Sequence, residues 1–179
     1  MTETGPGPEH AVIWLHGLGA DGNDFAPIVP QLAAARSRPV RFVFPHAPVR
    51  PVTVNGGMRM RAWYDIRGVA IARDQDLDGV RDSMQRVERL IEAEAERGIA
   101  PERIVLAGFS QGGAVALRLG LGRGVPLAGI IALGRDAARV LAEHHVDVDW
   151  SEWPMQHAVC PEEIAALDRW LAARLDRTA

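Results

Sequence analysis

Gly108-Phe109-Ser110-Gln111-Gly112 is the stretch of this chain whose residue types and spacing could carry out a reaction. It follows the apolar run Ile104-Val105-Leu106-Ala107 and precedes a segment rich in small residues. A serine on a sharp strand-to-helix turn is held in a strained backbone conformation, with its Oγ pushed out of the sheet as a nucleophile. Such a turn needs small neighbours, and Gly108, Gly112 and Gly113 supply them. The turn also sets the Gln111 backbone N–H at a helix N-terminus, where it can donate to a developing oxyanion. The chemistry this predicts is acyl transfer through a serine ester.

Acyl transfer needs a second oxyanion donor and a general base. His16-Gly17-Leu18-Gly19 stops the apolar run Val12-Ile13-Trp14-Leu15. Its glycines allow the backbone to approach a substrate oxygen closely, and the Leu18 N–H is the natural donor. His16 itself is read as structural. The base is expected after the last strand, in the chain order serine, acid, histidine. His157 meets that requirement, because it follows Trp150-Ser151-Glu152-Trp153-Pro154 and precedes the final helix. A neutral imidazole there can take the Ser110 proton and later hand it to the leaving group. His144 and His145 precede the same strand and fall at its wrong end. No histidine spacing supports a metal site, and Cys160 reads as a small residue opening the last helix. Gly17, Gly19 and Gly22 match a bare dinucleotide-binding pattern, but the acidic residue expected about 20 positions on is lacking.

The elements that must position these residues alternate strand with helix. Strands are predicted at 12–15, 40–44, 104–107 and 127–133, with a half-buried strand where Val146, Val148 and Trp150 alternate with Asp147, Asp149 and Ser151. Helices are predicted from near Asp24 through Ile28, Leu32 and Ala35, over 76–97, over 112–121, over 136–145, and from Pro161. Val80, Met84, Val87 and Ile91 fall on one helical face. Residues 46–61 hold Pro48, Pro51, Gly56 and Gly57, and read as a long loop or irregular hairpin. Such alternation gives an α/β fold, a parallel sheet with helices on both faces. Its ligands bind at the carboxyl ends of the strands.

Composition narrows the classes. A chain of 179 residues, 47% apolar, is expected to form a single domain with a buried core. Residues 1–9 are expected to be a flexible tail and carry no signal-peptide pattern. All 20 basic residues are arginine, which removes Schiff-base lysines, P-loop lysines and serine–lysine dyads. A net charge of −3 gives no sign of a nucleic-acid partner. One cysteine excludes an internal disulfide. No apolar run reaches bilayer length, so stable membrane insertion is not expected and a cytoplasmic location is.

Several segments together resemble the carboxylesterase/phospholipase family of small α/β-hydrolases, which includes the acyl-protein thioesterases. They are Trp14-Leu15-His16-Gly17-Leu18-Gly19-Ala20-Asp21-Gly22-Asn23-Asp24-Phe25, Pro45-His46-Ala47-Pro48, Asn55-Gly56-Gly57-Met58-Arg59-Met60-Arg61, Ala62-Trp63-Tyr64-Asp65-Ile66, the Ser110 pentapeptide, and Trp153-Pro154-Met155-Gln156-His157-Ala158-Val159. The resemblance implies the α/β-hydrolase fold and hydrolysis of small-molecule acyl esters without a metal or organic cofactor. It implies Ser110 as nucleophile, His157 as base, and Leu18 and Gln111 as oxyanion donors. It implies that the loop at 46–63, with Met58 and Trp63, lines the acyl pocket, and that copies of the chain can form homodimers.

One departure from the family pattern stands out. The family's catalytic aspartate follows a strand that should lie between the strands at 127–133 and at Val146. Here a single short helix joins those two strands, so a strand–helix unit of roughly 30–45 residues is missing. Asp136 follows Leu133-Gly134-Arg135 at the carboxyl end of a strand and is the leading substitute; the alternatives are that it only caps the next helix, or that no acid reaches His157. Asp147 and Asp149 fall at the opposite side of the sheet. Two functions remain open, an active esterase and a catalytically impaired remnant that binds an acyl ligand or a partner. If Asp136 completes the triad, Asp136→Asn should lower kcat by about 10⁴-fold with the fold intact; an unchanged rate removes it from the mechanism.

Overall fold

The computed structural model describes residues 1–68, 76–134, 151 and 159–176. In chain order the strands are β1 (Thr2–Glu3), β2 (His10–Leu15), β3 (Val40–Val43), β4 (Val49–Val52), β5 (Met58–Arg61), β6 (Ile104–Phe109) and β7 (Gly129–Leu133). The α-helices are α1 (Ala33–Ser37), α2 (Leu77–Glu96), α3 (Gln111–Gly122) and α4 (Pro161–Leu175). The helix expected at 136–145 and the strand expected at Val146 lie outside the described residues.

β3, β2, β6 and β7 lie side by side and parallel, and β1 adds antiparallel to the outer edge of β3. Successive side chains of a strand point to opposite faces, and each face here has its own core. Val12, Trp14, Val105, Ala107, Ile131 and Leu133 pack with α1, α4 and the 3-10 turn Ala26–Gln31. Ala11, Ile13, Leu15, Ile104 and Leu106 pack with Val87 and Ile91 of α2 and Val115, Ala116 and Leu119 of α3. This accounts for strands that read as unbroken apolar runs, since both faces are covered.

The chain leaves β2 toward β3 over one face and leaves β6 toward β7 over the other. The two crossovers therefore have the same hand while running in opposite directions. β2 and β6 are neighbours, so a crevice opens between their carboxyl ends.

Local chemistry sets the helix limits. The Asp76 side chain accepts the Gly79 N–H at 3.1 Å and caps the start of α2. At its end Gly98 takes φ +93°, and the Gly98 and Ile99 N–H groups donate to Ala95 O and Glu94 O at 2.9 and 3.0 Å, a Schellman stop. The predicted helix over 24–35 is instead a 3-10 turn followed by the five-residue α1. Pro27 and Pro30 have no N–H to give to a longer α-helix. Residues 46–61 contain the antiparallel hairpin β4–β5, turned by Gly56 and Gly57 at φ +65° and +78°. The N-terminal residues, expected to be a flexible tail, pair with β3 instead, and Thr4 Oγ1 donates to Arg38 O at 2.8 Å.

Leu171 lies at the centre of the α4 contribution to the core and is 1% exposed. Leu171→Ala should cost about 2–5 kcal/mol of stability, measurable as a lower urea midpoint at unchanged m-value.

Candidate active site

The tight crossing of β6 and α3 builds the centre of the site. A Cβ at Gly108 would fall within the backbone of Gly112 and Gly113, and one at Gly112 would sit 2.7 Å from His16 O. Glycine at these positions lets α3 begin directly above the ends of β2 and β6. Ser110 occupies the turn between them at φ 53°, ψ −117°, and is the one non-glycine residue with positive φ among the described residues. Conformations of this kind cost about 1–3 kcal/mol. The turn is held by the Ser110 N–H donating to Leu133 O at 2.6 Å and the Ala114 N–H donating to Ser110 O at 3.1 Å.

The two expected oxyanion donors come from opposite sides of this turn. Gln111 is the first residue of α3, where a helix provides no internal acceptor for the backbone N–H. Residues 17–20 form a turn closed by the Ala20 N–H donating to Gly17 O at 3.3 Å, with Gly19 at φ +77° in its third position. Leu18 lies in this turn. Gly17 faces Ser110 so closely that a Cβ there would sit 3.6 Å from Ser110 Cβ and 3.1 Å from the Phe109 ring. The Gly19 N–H donates to Arg61 O at 2.9 Å, which joins the turn to β5.

His16 is buried and supports the turn. Its Nε2 accepts the Ala47 N–H at 3.0 Å, and its Nδ1 lies 2.7 Å from Gly17 O. An amide N–H can only donate and a carbonyl oxygen can only accept, so the ring is neutral with its proton on Nδ1. Burial holds the His16 pKa below its ordinary value, against the opposing pull of the Gly17 carbonyl.

Trp63 is also buried, at 1% exposure, and its polar groups are engaged. Its N–H donates to Gln111 Oε1 at 2.8 Å, its indole Nε1–H donates to His16 O at 2.9 Å, and its carbonyl accepts from Ser83 Oγ. Trp63 is thus fixed by three hydrogen bonds. Met58 is 64% exposed on β5. His157 and Asp136 lie outside the described residues.

Sequence reasoning missed several contributors. The Gln111 side chain was one, since an x position in a short motif gives no sign of its partners. The Asp76 carboxylate was another: besides capping α2 it accepts the Asp65 N–H at 2.9 Å and meets Arg67 and Arg50 at 3.3 and 3.8 Å. The sequence reading also passed over Glu163, in the first turn of α4. It is 5% exposed, burial raises its pKa against a hydrogen bond from the Cys160 backbone, and its Oε2 has no hydrogen-bond partner among the described residues. The spacing Cys160-x-x-Glu163 is half of a capping box and could have been read. Among the described residues, no group of three His, Cys, Asp or Glu side chains could hold a metal. No helix among them is long and apolar enough to cross a membrane.

Comparison with known proteins places this geometry. The sequence model of the phospholipase/carboxylesterase family matches residues 3–138. The chain belongs to that family. It is 34% identical to acyl-protein thioesterase 1 of Neurospora crassa, over 94% of this chain and 88% of the relative. It is 32% identical to acyl-protein thioesterase 1 of Gibberella zeae, over 92% and 90%. Among solved structures it resembles SOBER1 of Arabidopsis thaliana, with 26% identity, a TM-score of 0.81, and 93% of this chain and 99% of that one covered. Acyl-protein thioesterase 2 of Zea mays shares the fold at 22% identity and a TM-score of 0.75, over 94% of both chains. The fold is that of the α/β-hydrolases, in a shortened form, and the chain is a hydrolase of the esterase/thioesterase kind. The alignment with the Neurospora relative spans 215 positions against a chain of 179, so the relative carries residues that have no counterpart here.

The buried neutral imidazole of His16 makes stability depend on pH. His10 adds to this, its pKa also lowered by burial and next by Arg103. Between the ordinary value of 6.5 and the lower folded values, the unfolded chain binds protons that the fold refuses. The stabilisation is fully present above pH 6.5 and is lost as pH falls below it. The melting temperature should drop from pH 7.5 to pH 5, and the His16 ring should titrate below 6.5 by NMR. A His16 pKa at or above 6.5 would contradict a ring held neutral by burial.

Proposed function

We propose that this protein is a serine carboxylesterase that hydrolyses short- to medium-chain acyl esters through an acyl-enzyme intermediate. The observation that carries the reading is the strained backbone of Ser110 at the β6–α3 junction, facing the Gly17–Leu18 turn. A strained residue persists where the surrounding structure enforces it, and this one stands where the sheet opens to ligands.

In this mechanism His157 takes the proton from Ser110 Oγ as the oxygen attacks the acyl carbon. The carbonyl oxygen becomes an oxyanion between the Leu18 and Gln111 N–H groups, and the loss of one such donor typically lowers kcat by about 10²–10³-fold. His157 then protonates the leaving alcohol. Water, activated by the same imidazole, hydrolyses the Ser110 ester and restores the enzyme. Asp136 is the acid proposed to orient His157. Met58 contributes to the acyl pocket from the exposed face of β5, with Trp63 as the fixed wall behind it. The acyl-protein thioesterases among the relatives support thioesters as further substrates, and the family description names phospholipases, in keeping with lysophospholipids as another substrate class. A single cysteine suits a reducing cytoplasmic compartment.

A second reading rests on the shortened chain. The family match ends at residue 138, and the longer relative has residues with no counterpart here. On that reading the protein keeps the crevice and binds an acyl ligand without turning it over. Hydrolysis of a chromogenic acyl ester by the wild type and by Ser110→Ala separates the two. Turnover should be abolished in Ser110→Ala; equal rates in both proteins would rule out the serine esterase.

A further inference from the structure

Acyl transfer asks only for the main-chain N–H of Gln111, yet the residue is 3% exposed and both ends of its side-chain amide are hydrogen-bonded. Oε1 accepts from Trp63 N–H at 2.8 Å while Nε2 donates to Tyr64 O at 2.7 Å. The two partners have opposite polarity, so the amide orientation is fixed. Trp63 carries the constraint onward through its indole N–H to His16 O at 2.9 Å. His16 is fixed in turn by both ring nitrogens, against Ala47 N–H and Gly17 O.

The last bond in this series bears directly on the oxyanion hole. Gly17 C=O and Leu18 N–H belong to one planar peptide unit, and the described residues contain no cis peptide bond. In a trans unit the two groups point in opposite directions. A hydrogen bond drawing Gly17 O toward the His16 ring therefore aims the Leu18 N–H the other way. The series starts on the residue that carries one oxyanion donor and ends on the peptide that carries the other.

We propose that the Gln111 side chain is a positioning residue: acting through Trp63 and His16, it holds the Gly17–Leu18 peptide in register with the Gln111 N–H before substrate arrives. The proposal rests on the reading of Ser110 as nucleophile and of these two N–H groups as oxyanion donors. A side chain that only filled space would not couple the two donors.

The variants are Gln111→Met, of similar length without hydrogen bonding, and Trp63→Phe, which removes the indole donor. In protein shown to be folded by circular dichroism, each should lower kcat for a chromogenic ester by about 10–100-fold, somewhat less than outright removal of a donor. For Gln111→Met, KM should stay within about twofold, because the donors act on the transition state. The double variant should lose no more than the worse single one, as expected for residues in one network. Hydrogen exchange supplies a readout that needs no turnover: in Gln111→Met, exchange at the Gly19 and Ala47 amides should accelerate about tenfold or more while α4 is unchanged. Wild-type kcat in folded Gln111→Met, additive losses in the double variant, or unchanged exchange at both amides would each overturn the proposal. If Gln111→Met fails to fold, the kcat and exchange of Trp63→Phe decide it. If wild-type hydrolysis survives Ser110→Ala, the esterase reading falls separately, and the exchange measurement still judges the coupling.

Discussion

The near-contact of two backbones, where α3 starts above the ends of β2 and β6, is the constraint on which the catalytic end of this molecule depends. Gly108 and Gly112 leave no room for a side chain between strand and helix. The chain can make that crossing only by placing Ser110 in a conformation that side-chain-bearing residues avoid. The hydrogen bond from Ser110 N–H to Leu133 O shows what offsets the strain. β7 supplies that carbonyl, and β7 is held at the flank of β6 by its own register and by the cores on both faces. The position of one hydroxyl thus depends on strand order, on two apolar layers and on two absent side chains.

Around this apolar frame the polar groups near the crevice are largely paired among the described residues. The 62–68 segment is tied down from several sides: Trp63 and Tyr64 to Gln111, Asp65 to Thr53 at 2.6 and 2.7 Å, and Arg67 to Asp76. Burial alone would raise the Asp65 carboxyl, but the Thr53 bonds and the Arg67 charge hold it below its ordinary value. Buried polar groups are costly when left unpaired, so a network of this kind favours one arrangement of the β4–β5 hairpin against the His16–Gly19 turn.

Much of this was legible in the sequence, for identifiable reasons. β2, β6 and β7 could be read because strands buried on both faces are uninterrupted apolar runs. The limits of α2 could be read because Asp76 and Gly98 are capping residues by chemistry, and Ser110 because glycines surround it at the required spacing. The helix expected over 24–35 failed because apolar spacing outweighed Pro27 and Pro30 in the reading, whereas missing N–H groups decide the backbone. The N-terminal pairing was hidden because two residues carry no periodicity. The side-chain hydrogen bonds of Gln111 and Trp63 were invisible because their partners are distant in sequence, 48 residues apart for Gln111 and Trp63. Short-range pattern reports which side chains face a core; it does not report which polar groups find each other after folding.

The antiparallel strand β1 has a consequence for the colloidal behaviour of the protein. An uncovered parallel edge strand offers a ladder of N–H and C=O groups to any other chain, the usual seed of edge-to-edge aggregation. Glu3 opposite Arg41 covers part of that ladder on β3, and the Arg41 guanidinium reaches on to buried Glu94 of α2 at 2.7 Å, fastening the cover to the body of the molecule. Pro6 and Pro8 follow β1 in the chain and have no N–H with which to extend the ladder. β1 thus covers part of the outer edge of β3. Loss of the β1 pairing would reopen that ladder on β3.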